Sequence, residues 1–449
     1  MIIIAVTMSS MDGTIVNLAL PGIARDLHAS AASSVWVINA YQLAALTLLL
    51  PCAALGDRIG YRRVYLVGVT VFTLASALCF TASSLPMLAY ARGVQGLGAA
   101  GIMAVNSALL RLTYPRHLLG RGIAINSAVI AAASVAGPSL AAAILSVASW
   151  PWLFAPNIPL GALVLVLGWY ALPHNALTLP RGVRLSVPDV VLNGLMFCLV
   201  FLGANLLGAR AGGAPAAGAP FMALGFLCAG VAVGVFYLRR QWLLETPLFP
   251  IDLLRIPVFA LSMCTSITSF TAQTLALVSL PFLLLEAWGY SPAKAGLLMT
   301  VWPLMVVLVA PLAGRLIGRY PDGVLGGIGL ATFSCGLVLL AALPAVPGDV
   351  AIVWRMALCG AGFGLFQSPN NHTILTSAPN HRSGAAGGML GTARLTGQTS
   401  GTVILVFIFS VASVHTGHGP VIALSLAASL AAVAGIFSVL RLRHRSVSS

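Results

Sequence analysis

Charge is scarce in this chain. Only 7% of its 449 residues are Asp, Glu, Lys or Arg, and the acids number nine against 23 Lys and Arg. Soluble domains carry about 25% charged residues, so a water-exposed globular protein is excluded. A disordered chain is excluded as well, because 59% of the residues are hydrophobic. Cysteines number seven: Cys52, Cys79, Cys198, Cys228, Cys264, Cys335 and Cys359 all lie in apolar runs, without a CxxC or a Cys/His cluster. They read as small core residues, not as disulfides or metal ligands. The eight histidines are scattered, with no HExxH and no P-loop. No enzyme, metal or cofactor is therefore expected. The alternating ten-residue segments of a membrane barrel are also missing.

What the chain has is apolar length. Its mean hydropathy is +0.99, and apolar runs of about 20 residues, each able to cross about 30 Å of hydrocarbon as a helix, recur throughout. They predict an all-α polytopic membrane protein with fourteen helices at 2–24, 35–55, 64–82, 86–111, 121–147, 152–172, 188–208, 219–238, 257–285, 293–315, 324–343, 350–376, 384–412 and 419–440. The first run lacks the basic start of a signal peptide and carries Asp12 and Asn17, so it is read as a spanning helix. The segment 239–256 is amphipathic and is expected on the membrane surface.

The formal charge of +14 is divided among short loops, with no basic stripe for nucleic acid. Loops after even-numbered helices hold Arg58, Arg62, Arg63, Arg116, Arg181, Arg184, Arg239, Arg240, Arg255, Arg319 and Arg382. Arg111, Arg121 and Arg315 stand beside those loops, and the tail adds Arg441, Arg443 and Arg445. The opposite loops hold only Arg25, Arg210 and Lys294. The positive-inside rule then puts both termini on the cytoplasmic side of a bacterial inner membrane.

The chain also repeats itself. TIVNLALPG at 14–22 aligns with TLALVSLPF at 274–282, Pro21 opposite Pro281. LGDRIGYRR at 55–63 has a worn partner in AGRLIGRYPDG at 313–323, and RGVQGLGAAG at 92–101 matches RMALCGAGFG at 355–364, Arg92 opposite Arg355. Two six-helix repeats, 1–172 and 257–449, would thus flank an inserted helix pair within 173–256. This is the plan of secondary transporters, which bind substrate between the halves.

GDRIGYRR resembles the signature loop of the major facilitator superfamily. Gly56 and Gly60 allow the sharp reversal, Asp57 can cap or pair, and Arg58, Arg62 and Arg63 suit anionic headgroups. The resemblance gives this loop the role of stabilising closure on the cytoplasmic side. The first helix, MDGTIVNLALPGI, resembles that of the fourteen-helix drug:proton antiporter branch, through Asp12, Thr14, Asn17, Ala19 and Pro21. YARGVQGLGAA resembles the superfamily motif whose arginine, here Arg92, is tied to proton coupling; Gln95, Gly96 and Gly98 also match. SVAGPSLAAAI keeps Gly137 and Pro138 of the antiporter packing motif, with Ala141 and Ala142 in place of its last glycines. WPWLFAPNIPLG resembles the start of helix 6, with Pro151 where arginine is usual. FQSPNN at 366–371 and GMLGTARLTGQTSG at 388–401 resemble later segments of the branch.

Aspartate at mid-bilayer costs about 2.5–3.5 kcal/mol, so Asp12 is a functional candidate. A carboxyl that is neutral when sealed and charged when hydrated can carry a proton, the coupling ion, with Arg92 as its modulator. Alternatively, Asp12 is a structural group bonded to hydroxyls such as Thr14. Arg355 and Arg394 are the other cations well inside helices; Arg394 either takes part in coupling or snorkels to the cytoplasmic end. Asn17, Tyr41, Gln42, Gln273, Gln367 and Asn371 are substrate-cavity candidates, each also explicable as an interhelical hydrogen bond. Gln273 lies near the position matching Asp12. The resulting expectation is proton-driven efflux of amphipathic cationic or neutral drugs, or export of a specific metabolite on the same fold. The partners would be a small amphipathic molecule, protons and lipid, and no protein partner is called for.

Overall fold

A computed structural model describes residues 1–113, 119–172, 186–208, 219–242, 244, 248–344, 347–378, 383–414 and 416–445. The predicted basic positions Arg116, Arg181, Arg184, Arg210 and Arg382 lie outside the described residues, as do the side chains of Asp57, Arg111, Arg121, Arg443 and Arg445.

The first half holds helices α1 (Ile2–Asp26), α2 (Trp36–Ile59), α3 (Tyr61–Phe80), α4 (Leu85–Thr113), α5 (Leu119–Val147) and α6 (Asn157–Ala171). A pair follows, α7 (Val187–Gly208) and α8 (Ala219–Trp242). The second half holds α9 (Pro257–Phe282), α10 (Pro292–Leu316), α11 (Asp322–Ala341), α12 (Asp349–Ser377), α13 (Ser383–Val411) and α14 (His418–Arg445). Among the described residues twelve helical segments are long and apolar enough to cross a membrane. The two long helices outside that set are α4, which carries Arg92, Gln95 and Asn106, and α5, whose apolar stretch is Ala136–Val147.

Helices are what an apolar solvent demands, since every backbone polar group must be satisfied within the segment. The outer faces are apolar to match: Tyr170, Phe221 and Val147 are largely exposed. The same solvent corrects one expectation. Only Cys79 and Cys359 are core residues, whereas Cys198, Cys228, Cys264 and Cys335 face outward, because lipid makes burial unnecessary for a small apolar group.

Of the 239–256 segment, 239–242, 244 and 248–256 are described. Its short helix Ile251–Leu254 sinks Leu253 among Phe259, Met263 and Ile374 of the second half. The Gln241 side chain accepts from the backbone N–H of Leu248 at 2.6 Å and of Phe249 at 3.3 Å. Buried apolar contact and these bonds hold residues 248–254 against protein.

The repeat is visible in the packing. α1 packs on α5 as α9 does on α13, and α2 packs on α4 as α10 does on α12. Gly60 (φ 100°) breaks α2 from α3, and Gly318 (φ 83°) stands at the matching break between α10 and α11; both are left-handed positions that favour glycine. A Cβ on Gly96 would strike the Tyr41 carbonyl oxygen, and one on Gly360 that of Trp302. One on Gly98 would reach the Phe72 nitrogen at 2.5 Å, and one on Gly362 the Phe333 nitrogen at 2.5 Å.

These crossings correct the sequence alignment by one residue. With Gly96 on Gly360, Arg92 stands opposite Met356 and Gln95 opposite Cys359. Arg355 is no echo of Arg92: it donates to its own Ala351 carbonyl at 2.8 Å and lies over the Trp354 ring at 4.4 Å. Close helix crossings fix register through glycine, and matching two arginines ignored that constraint.

Candidate functional site

Asp12 and Arg92 meet. Each is 1% exposed, and the guanidinium donates to Asp12 Oδ2 in a buried ion pair. α1 supplies the acid and α4 the base, and α4 can approach because Gly96 and Gly98 let it press on α2 and α3. Asp12 Oδ1 accepts from Gln95 Nε2 at 3.0 Å and from Asn157 Nδ2 at 2.8 Å. Arg92 also donates to Gln95 Oε1 at 2.5 Å and, through Nε, to the Val37 carbonyl at 3.1 Å. Gln95 Nε2 further reaches Ser76 Oγ at 2.8 Å. Below the guanidinium lie the rings of Tyr41 at 4.3 Å and Phe154 at 5.7 Å.

Asp12 is therefore satisfied by one cation and two amides, and not by Thr14, whose hydroxyl turns back to the Met11 carbonyl at 3.0 Å. Such caging is what permits a buried charge, since an unpaired ion there would cost several kcal/mol. Asn157 was missed by sequence reasoning; at the head of an apolar run it reads as a helix boundary. The only available signal was an amide with no exposed face to serve.

The second half repeats the scaffold without the chemistry. The Pro21–Pro281 register places Ala272 opposite Asp12, with Gln273 one residue on. Ala272, Met356 and Cys359, the counterparts of Asp12, Arg92 and Gln95, are all 0% exposed. One half has an ionic centre, and the other has an apolar one in the same place.

The remaining predicted residues fall into three groups. Gly137 faces α1, where a Cβ would strike the Thr14 hydroxyl, and the Pro138 carbonyl lies against Gly296 of α10, 2.9 Å from its would-be Cβ. Ser139 and Thr300 bond at 2.6 Å across the same seam, and Arg25 pairs with Glu286 at 3.1 Å. The two halves are thus joined at the end remote from the basic loops. In the signature loop, Gly56 is packed against Tyr61 and Val105, Arg63 is exposed and Arg58 half-buried. Arg62 donates to the Trp169 carbonyl and lies 5.8 Å over its ring, which ties the loop to its own half.

The cavity candidates are dispersed. Tyr41 lies at the ion pair itself, its hydroxyl donating to the Ser9 carbonyl at 3.4 Å. Asn17 and Gln42 are buried, each with an amide oxygen lacking a donor. Gln42 shares the face of α2 whose Leu49 packs on Gly391 of α13. Gln273 is half-buried on α9. Gln367 and Asn371 are half-buried on the stripe of α12 that continues from Gly364, which packs on Val306. It is their neighbour Asn370 that is fully bonded, accepting from Arg441 at 2.9 Å and donating to Ser266 at 2.7 Å. A groove of about 720 Å³ lies elsewhere, on the outer surface between α11 and α14, lined by Gly327, Ala331, Val338 and Ile436.

Comparison with known proteins agrees with this architecture. The sequence profile described as Major Facilitator Superfamily matches residues 2–402. The chain is 50% identical over 441 residues, 98% of its length and 94% of the relative's, to the uncharacterized transporter YebQ of Escherichia coli K12. It is 29% identical to the riboflavin transporter RibZ of Clostridioides difficile, covering 91% and 87% of the two chains. It is 31% identical to the tetracenomycin C resistance and export protein of Streptomyces glaucescens, covering 90% and 73%. Fold, repeat and profile lead to one conclusion: the chain belongs to the Major Facilitator Superfamily and is a membrane transporter, not an enzyme.

Proposed function

We propose that this transporter exports amphipathic small molecules in exchange for protons, with Asp12 as the proton site and Arg92 as its modulator. The observation that carries this reading is the sealed Asp12–Arg92 pair, held by Gln95 and Asn157 in one half only. A proton on Asp12 cancels the charge that holds Arg92 and frees the guanidinium for its other partners. Opening and closing the pair then couples protonation to the packing of α1 against α4. Each proton entering down 100 mV supplies about 2.3 kcal/mol. The distribution of arginines supports cytoplasmic termini in a bacterial inner membrane.

The relative named for tetracenomycin C resistance and export supports a drug-like substrate. The one named for riboflavin supports the second reading, export of a specific metabolite on the same machinery. Everted membrane vesicles test the coupling. Substrate addition should release protons in wild type and not in Asp12→Asn at equal membrane insertion; unchanged proton-driven efflux in Asp12→Asn refutes it.

A further inference from the structure

Three ionised groups stand at one depth in the middle of the molecule, and only two of them are matched. Asp12 is ten residues into α1 and Arg394 eleven into α13. At 1.5 Å per residue both lie about 15–17 Å from the basic-loop end. Arg394 lies 5.7 Å over Phe270 of α9, and its helix α13 packs on α2 of the first half. It therefore stands where the two halves face each other, and it does not snorkel to a helix end. Among the described residues it makes no hydrogen bond and no ion pair, and it is half-buried, not sealed.

The described carboxylates are placed elsewhere: Asp26 ends α1, Asp252 lies in the short helix Ile251–Leu254, and five others are paired. Asp12 is held by Arg92, Asp189 by Arg240, Glu286 by Arg25, Asp322 by His372 and Asp349 by Lys294. Asp57 lies 16 residues beyond Tyr41 on α2, about 24 Å along the helix axis. Among the described residues the central depth thus carries a net positive charge. Around it are an aromatic floor, Phe270 edge-on to Phe363 at 5.5 Å, and two half-buried amides one turn away, Gln273 and Gln398.

We infer that Arg394 anchors the negatively charged head of the transported molecule, an amphipathic organic anion with a carboxylate or similar group on an apolar body. The guanidinium fork matches such a head bidentately, and the anion supplies the charge that the protein withholds. This deepens the export reading above and rests on it, and it departs from the cationic or neutral substrate expected from sequence. A cation would need a free carboxylate at this depth, and Asp12 is held by Arg92. Proton and substrate then have separate seats, one in each half.

The test is equilibrium binding to the purified full chain in nanodiscs of zwitterionic phosphatidylcholine, using 2-naphthoate and 2-naphthylmethylammonium, ligands of one shape and opposite charge. Wild type should prefer naphthoate by about tenfold or more, the worth of one charge-assisted hydrogen bond. Arg394→Gln should reduce the preference to within about twofold, and Arg394→Lys should keep most of it. The wild-type comparison needs no variant to fold. Preference for the ammonium, binding of neither ligand, or an unaltered preference in a folded Arg394→Gln overturns the assignment. If proton release in vesicles persists while the preference is inverted, only the anion assignment falls. If naphthoate is preferred but no proton release occurs, only the antiport reading falls.

Discussion

Removing either member of the Asp12–Arg92 pair should harm the protein, but in different ways. Asp12→Asn leaves a buried guanidinium that retains Val37 and Gln95 as acceptors but has no counter-charge. Breaking a buried pair from one side costs about 3–5 kcal/mol. Arg92→Gln leaves a carboxyl facing the amides of Gln95 and Asn157. That group loses its counter-charge as well, so the loss should be of the same order. The double variant removes both charges and should recover most of either loss, so it should be more stable than either single variant, far from additivity. Denaturant unfolding of the four proteins in mixed micelles measures the cycle. Additive single losses would refute the assignment of a charge pair as the centre of the first half.

Two further outcomes follow from the packing. Gly96→Ala drives a methyl into the Tyr41 carbonyl and should cost about 1–3 kcal/mol as an overpacked crossing, with transport lost because α4 carries Arg92. Gly13→Ala, with nothing within 4 Å of its would-be Cβ, should be neutral or slightly stabilising in the same unfolding assay. Asn157→Leu removes one donor to a charged acceptor and should cost about 1.5–3 kcal/mol, while Asn157→Asp, which sets a second carboxylate against Asp12, should cost more in the same assay.

The fold was legible because its signals are long: apolar runs of membrane length, loops rich in arginine, and a repeat anchored by Pro21 and Pro281. Half of the ionic centre was legible because an acid in such a run has no bland explanation. What was not legible was partnership. Asn157, Ser76 and Gln95 reach Asp12 or its neighbours from three different helices, and nothing in their spacing joins them. The apolar twin of the site was hidden by a one-residue slip, since identical arginines outweighed the glycines that set the crossing. Arg394 was visible as a cation inside a helix, but its lack of a partner among the described residues appears only once the helices are packed.

Charge bookkeeping across the membrane gives a second, independent measure of the substrate's sign. With one proton entering per molecule exported, a monoanion moves two charges per cycle, a neutral molecule one, and a monocation none. At about 2.3 kcal/mol per charge per 100 mV, an inside-negative potential of about 60 mV adds about 1.4 kcal/mol for each charge moved. That is about tenfold in the limiting concentration ratio for a neutral substrate and about a hundredfold for an anion. Proteoliposomes with a fixed pH gradient and a potassium diffusion potential set by valinomycin isolate this term. An accumulation ratio of 2-naphthoate that follows the potential with the slope of two charges agrees with Arg394 as the anchor and Asp12 as the proton site. A ratio indifferent to potential means that a charge of the opposite sign accompanies the substrate, and the separation of the two seats would then be wrong. The slope depends on neither folding of a variant nor affinity, so it tests the electrostatics of the cavity on the unaltered protein.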